Sequence, residues 1–160
     1  MNRVESPALR GTRLGGLLRF LNPFMLWLLA SRLHWPLSRW FLLISWTGAK
    51  TGRVRSTPVS YVRDEGRIYV TTGDSWPRFA VGNPTFRVRY RGAWSSADAV
   101  LISDPEQSRR QHMRIFEQHN WFRVLAGVPK RRGHTDPEAV AHAIAAGRKL
   151  IEIDLGQSPA

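Results

Sequence analysis

From Phe41 onward the apolar residues recur with the period of a strand more often than that of a helix. Phe41 to Trp46 is a short apolar run and Val59 to Val62 a second, with Gly48 and Gly52 between them. The pattern predicts strand, turn, strand over Phe41–Trp46 and Arg55–Arg63. Asp64-Glu65-Gly66 predicts the next hairpin turn, and Arg67–Thr72 a third strand with Ile68 and Val70 on one face and Tyr69 and Thr71 on the other. A fourth strand, Thr85–Arg91, alternates strictly: Arg87, Arg89 and Arg91 against Phe86, Val88 and Tyr90. Gly92 turns the chain into a fifth, Trp94–Ile102, and Lys149–Leu155 is the last.

Helical signals sit between and before these strands. Trp76–Val81 predicts a short helical turn stopped by Gly82-Asn83-Pro84. Asp104 is placed to cap a helix with Pro105 at its first position, running to about His119. Trp121–Gly127 predicts a further helical turn, and Val128–Gly133 a basic loop. Thr135-Asp136-Pro137-Glu138 opens a second long helix that ends near Gly147. Five or six antiparallel strands with tight turns and peripheral helices predict a mainly β, α+β barrel. We divide the chain into a basic, amphipathic, helical segment over 1–40 and a barrel domain with C-terminal helices over 41–160.

Charge changes the picture most at the start of the chain. Net charge is +12, with 24 Lys and Arg against 12 Asp and Glu. That balance favours an anionic partner, although only three of the cations are lysines, which also fits an arginine-preferring genome. The first 40 residues hold six arginines, one acid and three tryptophans, a composition that suits a helix lying in a membrane interface or capping the barrel core. Their longest uncharged run, Phe20 to Ser31, is twelve residues and contains Pro23, too short to span a bilayer. The arginine strand and its aromatics match no recognised RNA-binding motif, so nucleic acid is not an expected partner. The absence of cysteine allows a cytoplasmic setting and removes thiolate chemistry.

The candidate chemistry lies in the first turn. Lys50 supplies a point charge, Thr51 a hydroxyl and Arg55 a planar fork that matches a phosphate or carboxylate, while Gly48 and Gly52 let backbone amides face an anion. Two readings stand: a phosphate cradle, or an ordinary glycine-containing hairpin with solvated charges. No Gly-x-Ser-x-Gly elbow occurs, and His112 and His119 lack the spacing of metal ligands. An enzymatic role would therefore depend on a bound cofactor.

Gly48-x-Lys50-Thr51-Gly52-x-x-Arg55-x-x-Pro58, followed by Tyr61-Val62-Arg63-Asp64, Thr71-Thr72, Ser75-Trp76 and Gly82-Asn83-Pro84, resembles the deazaflavin (F420)-dependent nitroreductase and F420H2-dependent quinone reductase family. The resemblance covers roughly residues 38 to 104. It implies a split β-barrel of the FMN-binding, pyridoxamine-phosphate-oxidase-like kind. The implied cofactor is coenzyme F420, a deazaflavin with a phosphate and an acidic glutamate tail, with FMN as the alternative. Lys50, Thr51, Gly52 and Arg55 would hold the phosphate and tail, and Thr57 and Pro58 would line the ring pocket. Thr71, Thr72 and Gly73 would flank the deazaflavin edge, with Trp76 and Arg78 over the cofactor and Ser60 toward the substrate. The implied reaction is hydride transfer to a quinone, nitro compound or activated alkene. Membrane association through residues 1–40 and a homodimer are further expectations, and a non-catalytic carrier of lipid or another hydrophobic ligand is the competing role. The chain departs from the family pattern at Ala49, usually Arg; at Ser60, often Tyr; and at Pro77, Phe79 and Ala80.

Overall fold

The first hairpin sets the frame. In the computed structural model, which describes Pro23, Trp27 and residues 38–156, β1 (Phe41–Thr47) runs antiparallel to β2 (Val54–Ser60). The register pairs Leu42 with Val59, Ile44 with Thr57 and Trp46 with Arg55. Because successive side chains of a strand point to opposite faces, those six residues share one face, and Leu43, Ser45, Ser56, Pro58 and Ser60 take the other.

Beyond β2 the chain does something its pattern did not announce. Arg55–Arg63 reads as a single strand, but it breaks at Tyr61 into β2 and β3 (Val62–Asp64). The strand order is β2-β1-β5-β6-β9-β4-β3, so β2 and β3 are the two edges of one seven-stranded sheet. A single residue joins those edges, and a flat sheet cannot satisfy that; this one curls until β2 meets β4. Tyr61 holds the corner. It is buried, its amide donates to Trp40 O, its hydroxyl to Ser38 O at 2.8 Å, and its ring meets Tyr90 edge-on. Burial raises its pKa to about 12, so the hydroxyl stays a donor across the ordinary pH range.

β4 (Arg67–Thr72), β5 (Arg87–Tyr90), β6 (Ala93–Leu101) and β9 (Lys149–Leu155) complete the sheet. β6 pairs with β5 along one edge and β9 along the other, and so belongs to both halves of a split β-barrel. Glu65 and Gly66 both take positive φ, as a two-residue hairpin between β3 and β4 requires. Leu42, Ile44, Val59, Ile68, Val70, Phe86, Val88, Ile151 and Ile153 fill the barrel. The alternation read for the fourth strand holds over Phe86–Val88, where Phe86 and Val88 are buried and the Arg87 guanidinium lies against the Trp94 ring. The strand is shorter than Thr85–Arg91, however, and Arg91, at positive φ, belongs to the turn.

Helices cover the other face of β4 and β9. The short α1 (Pro77–Ala80) follows β4; α2 (Pro105–Gln118), α3 (Asn120–Leu125) and α4 (Pro137–Ala145) follow β6. Asp104 and Asp136 cap α2 and α4 through the amides of Gln107 and Glu138, each with proline at the first position. Ile115, Phe116, Phe122, Val128 and Val140 make a second core against Val62, Tyr69 and Leu150. The basic stretch read as a loop contains a small hairpin, β7 (Lys130–Arg131) with β8 (His134–Thr135), turned at Arg132-Gly133. Glu117 anchors it, accepting from the Thr135 amide and hydroxyl and from His134, which together hold its carboxyl down at about 2. The helices expected within residues 14–40 lie outside the described residues.

Candidate functional site

The end of the barrel where β1 turns into β2 gathers most of the residues singled out from the sequence. Three backbone amides of that turn are already committed. Gly48 N donates to Arg53 O at 2.9 Å, Gly52 N to Gly48 O at 2.8 Å, and Arg53 N to Thr51 Oγ1 at 3.4 Å. The expectation that Gly48 and Gly52 present free amides to an anion is therefore corrected: their amides close the turn on itself. Gly48 is needed for a different reason, since a Cβ there would sit 2.9 Å from Thr51 Oγ1. That contact is closer than two such atoms approach without displacement.

Side chains carry what anion-binding capacity the turn has. Lys50, Arg53 and Arg55 are exposed, and among the described residues no carboxylate pairs with any of them. Arg55 stands across from Trp46 and Thr57 from Ile44, so both share the face that leads into the barrel. Three uncompensated cations at one barrel rim form a positive field that a polyanionic group would relieve.

Beside them lies a pair of buried indoles. Trp76, only 6% exposed, packs on Trp46 with ring centroids 6.3 Å apart and planes inclined at 34°. Among the described residues neither indole N–H has an acceptor. A buried N–H without a partner costs about 1–3 kcal/mol, and two of them adjacent fit an acceptor supplied from outside the chain. Trp76 enters from the loop after β4, which brings Thr72 to the same mouth. Thr72 is on the Ile68 and Val70 face of β4, and its hydroxyl accepts from Asp74 N. Arg78 lies exposed on α1, its guanidinium over the Phe79 ring.

The Asn83 side chain fastens this mouth together. Its Nδ2 donates to Thr47 O at 3.0 Å and Phe79 O at 3.1 Å, while its Oδ1 accepts from the Thr85 amide and hydroxyl. Thr85 Oγ1 in turn accepts from Thr47 N. One side chain thus joins the end of β1, the end of α1 and the approach to β5. The Gly-Asn-Pro spacing was legible as a helix stop, but nothing in it indicated this role.

Four sequence-selected residues point elsewhere. Pro58 and Ser60 lie on the opposite face of β2 from Thr57, so neither looks into the barrel. Thr71 faces the helices: its hydroxyl is 2.9 Å from His112 Nε2, inside the second core. His112 Nδ1 sits 2.9 Å from Ser108 O and must donate to it, which makes Nε2 the acceptor for Thr71. Burial pushes His112 down to about 4, against the backbone bond to Ser108 and aided by the charge of Arg148. Gly73 opens onto a different hollow, between α4 and the chain after α3. Among the described residues no group of three His, Asp or Glu is placed to hold a metal ion, and no helix is long and apolar enough to cross a membrane.

Comparison with known proteins now bears on this arrangement. No curated protein matches the chain. Among solved structures, an F420-H2 dependent reductase (FDR-A) is 20% identical with a TM-score of 0.42, over 72% of this chain and 95% of that one. A pyridoxamine 5'-phosphate oxidase-related, FMN-binding protein from Nostoc punctiforme is 12% identical with a TM-score of 0.44, over 88% and 78%. A third, described as a domain-swapped dimer, is 20% identical with a TM-score of 0.44, over 72% and 81%. The assignment is carried by a family model, which matches residues 33–124 and so takes in the hairpin, the paired indoles, the Asn83 knot, α2 and most of α3. The chain belongs to the F420H(2)-dependent quinone reductase family.

Proposed function

We propose that the protein is an F420H2-dependent reductase whose cofactor lies at the barrel mouth between the first turn and α1. The observation that carries this reading is the pairing of two unmet needs at one place. Among the described residues Lys50, Arg53 and Arg55 have no acid partner, and Trp46 and Trp76 have no acceptor for their indole N–H groups. An anionic cofactor with a polar ring system answers both.

Lys50, Thr51 and Arg55 hold the phosphate and acidic tail in this scheme, with Gly52 shaping the turn and Arg53 adding charge. Thr57 and Thr72 border the ring, and Trp46 and Trp76 close the floor. Arg78 guards the outer side. Reduced F420, when bound, supplies the hydride. The chain supplies orientation, charge compensation and exclusion of water, which is where a cofactor-dependent enzyme contributes its share of rate. A quinone is the first acceptor to try, with nitro compounds and activated alkenes after it.

The test is oxidation of F420H2 followed by its absorbance, with menadione as acceptor and the purified chain as catalyst. Turnover that disappears in Arg55→Ala supports the reading. No turnover with any acceptor class, together with an apolar ligand retained through purification, would favour a carrier. A yellow preparation with flavin bands would identify FMN as the cofactor instead. We further propose a cytoplasmic protein with a homodimeric state to be checked by light scattering. Residues 1–40 are its contact with anionic membrane, to be checked by pelleting with phosphatidylglycerol vesicles.

A further inference from the structure

The hollow that Gly73 opens onto lies in the part of the chain mostly beyond the family match, and its construction differs from that of the barrel mouth. It encloses about 610 Å³, within the range of small-molecule sites. One wall is a single face of α4: Ala139, His142, Ala143 and Ala146, spaced three and four residues apart. Three of those four side chains are a lone methyl group, so this face of the helix stands back from the loop opposite. That loop, Ala126 to Pro129, contributes Gly127, which also has no side chain to fill the gap.

Arg148 closes the hollow. Its Nη2 donates to Ala126 O at 2.9 Å, but its Nε is buried with no partner. Among the described residues it makes no ion pair, and burial lowers its pKa. A guanidinium has five donors, and a buried Nε–H left unanswered is costly to keep. The acids nearby do not discharge it. Asp136 is committed to the α4 cap at Glu138 N, and Glu138 pairs with Arg131 at 3.2 Å. The charge of Asp74 raises the Arg148 pKa against the larger effect of burial.

We propose that this hollow is a second binding site, separate from the cofactor mouth, for a small amphipathic carboxylate. Its acid group bonds Arg148, and its aliphatic or aromatic body lies on the alanine face of α4. A carboxylate fits because it accepts from two guanidinium N–H groups at once. An apolar body fits against the alanine methyl groups, Val128 and Pro129, while the further lining residues His142, Asp136 and Glu138 are polar.

The test uses the full chain without F420, titrated with 1-naphthoate and with decanoate by calorimetry and by amide NMR. Saturable binding that shifts the amides of Gly73, Gly127 and Ala143 is the expected result. Arg148→Gln should weaken it at least tenfold, and Ala143→Phe, which fills the hollow, should abolish it. Uncharged 1-naphthamide should bind at least tenfold more weakly than the acid. Because Arg148 also braces Ala126, Arg148→Lys and Ala143→Phe keep the test decisive if Arg148→Gln fails to fold. The proposal is overturned if neither acid saturates, or if both bind Ala143→Phe unchanged. Lys50→Ala/Arg55→Ala should leave this binding intact, so that its failure and the failure of the cofactor reading are told apart.

Discussion

β4 separates two environments that treat polar groups in opposite ways. On its barrel face, Thr72 leads to a mouth where, among the described residues, cations lack acids and indoles lack acceptors. On its helical face, Thr71 bonds His112, His112 bonds Ser108, and a few residues on Glu117 gathers three donors from the β7–β8 hairpin. Both regions contain buried polarity. Along the bonds from Thr71 to Glu117 the chain answers that polarity itself, whereas at the indole pair, and at Arg148 Nε beside the second hollow, it does not. Where it does, the groups specify structure; where it does not, the vacancy describes a ligand.

The largest effect that would sharpen this contrast comes from the helical side. Phe122→Ala removes a fully buried ring from the second core and should cost about 3–5 kcal/mol, read as a lower urea midpoint. Cofactor affinity per folded molecule should not move. A Phe122→Ala protein that stays folded but loses its F420 affinity would show that the two faces are not independent.

Next in size is the pH response of His112. Above pH 6.5 the imidazole is neutral in both folded and unfolded chains and its burial costs nothing extra. As pH falls from 6.5 toward 4 the unfolded chain takes up a proton that the folded chain refuses, so stability drops, and it levels off below about 4. The full shift corresponds to roughly 3 kcal/mol. Urea midpoints at pH 7.0 and pH 4.5 measure it. His112→Gln should flatten that interval, and an equal slope in the variant would assign the effect to other groups.

Asn83→Ala tests the join between the regions at the mouth. It removes bonds to Thr47, Phe79 and Thr85 and should cost about 1–3 kcal/mol. Unlike Phe122→Ala, it should also weaken F420 binding, because it frees the end of β1 beside Trp46. Smallest is Asp104→Ala, the loss of one helix cap. It should cost about 1 kcal/mol of stability with no change in cofactor affinity.

What the amino-acid pattern revealed divides along similar lines. Strands with clear alternation and helices with an Asp-Pro start were readable, because local rules decide them: Arg67–Thr72, Lys149–Leu155 and both long helices lie close to where their patterns place them. The break at Tyr61 was not readable, since Ser60, Tyr61 and Val62 are all acceptable in one strand, and only pairing with β1 on one side and β4 on the other divides them. The same limit applies to the site. Lys50, Arg55 and Trp76 are proposed for the site from their order in the chain. Trp46 was overlooked as a partner for Trp76, because their contact depends on how α1 folds back toward β1. Thr71 and Thr72 are both implied by the family resemblance, yet a strand sends neighbours to opposite faces, and that rule alone separates them.

The central claim is that the positive turn and the paired indoles form one binding site for F420. Titration of the purified protein with F420, followed by tryptophan fluorescence, tests it most directly. The account predicts a saturable change that weakens at least about tenfold in Lys50→Ala/Arg55→Ala, with the urea midpoint unchanged. No saturable change in the native protein, or undiminished affinity in the double variant, would contradict it.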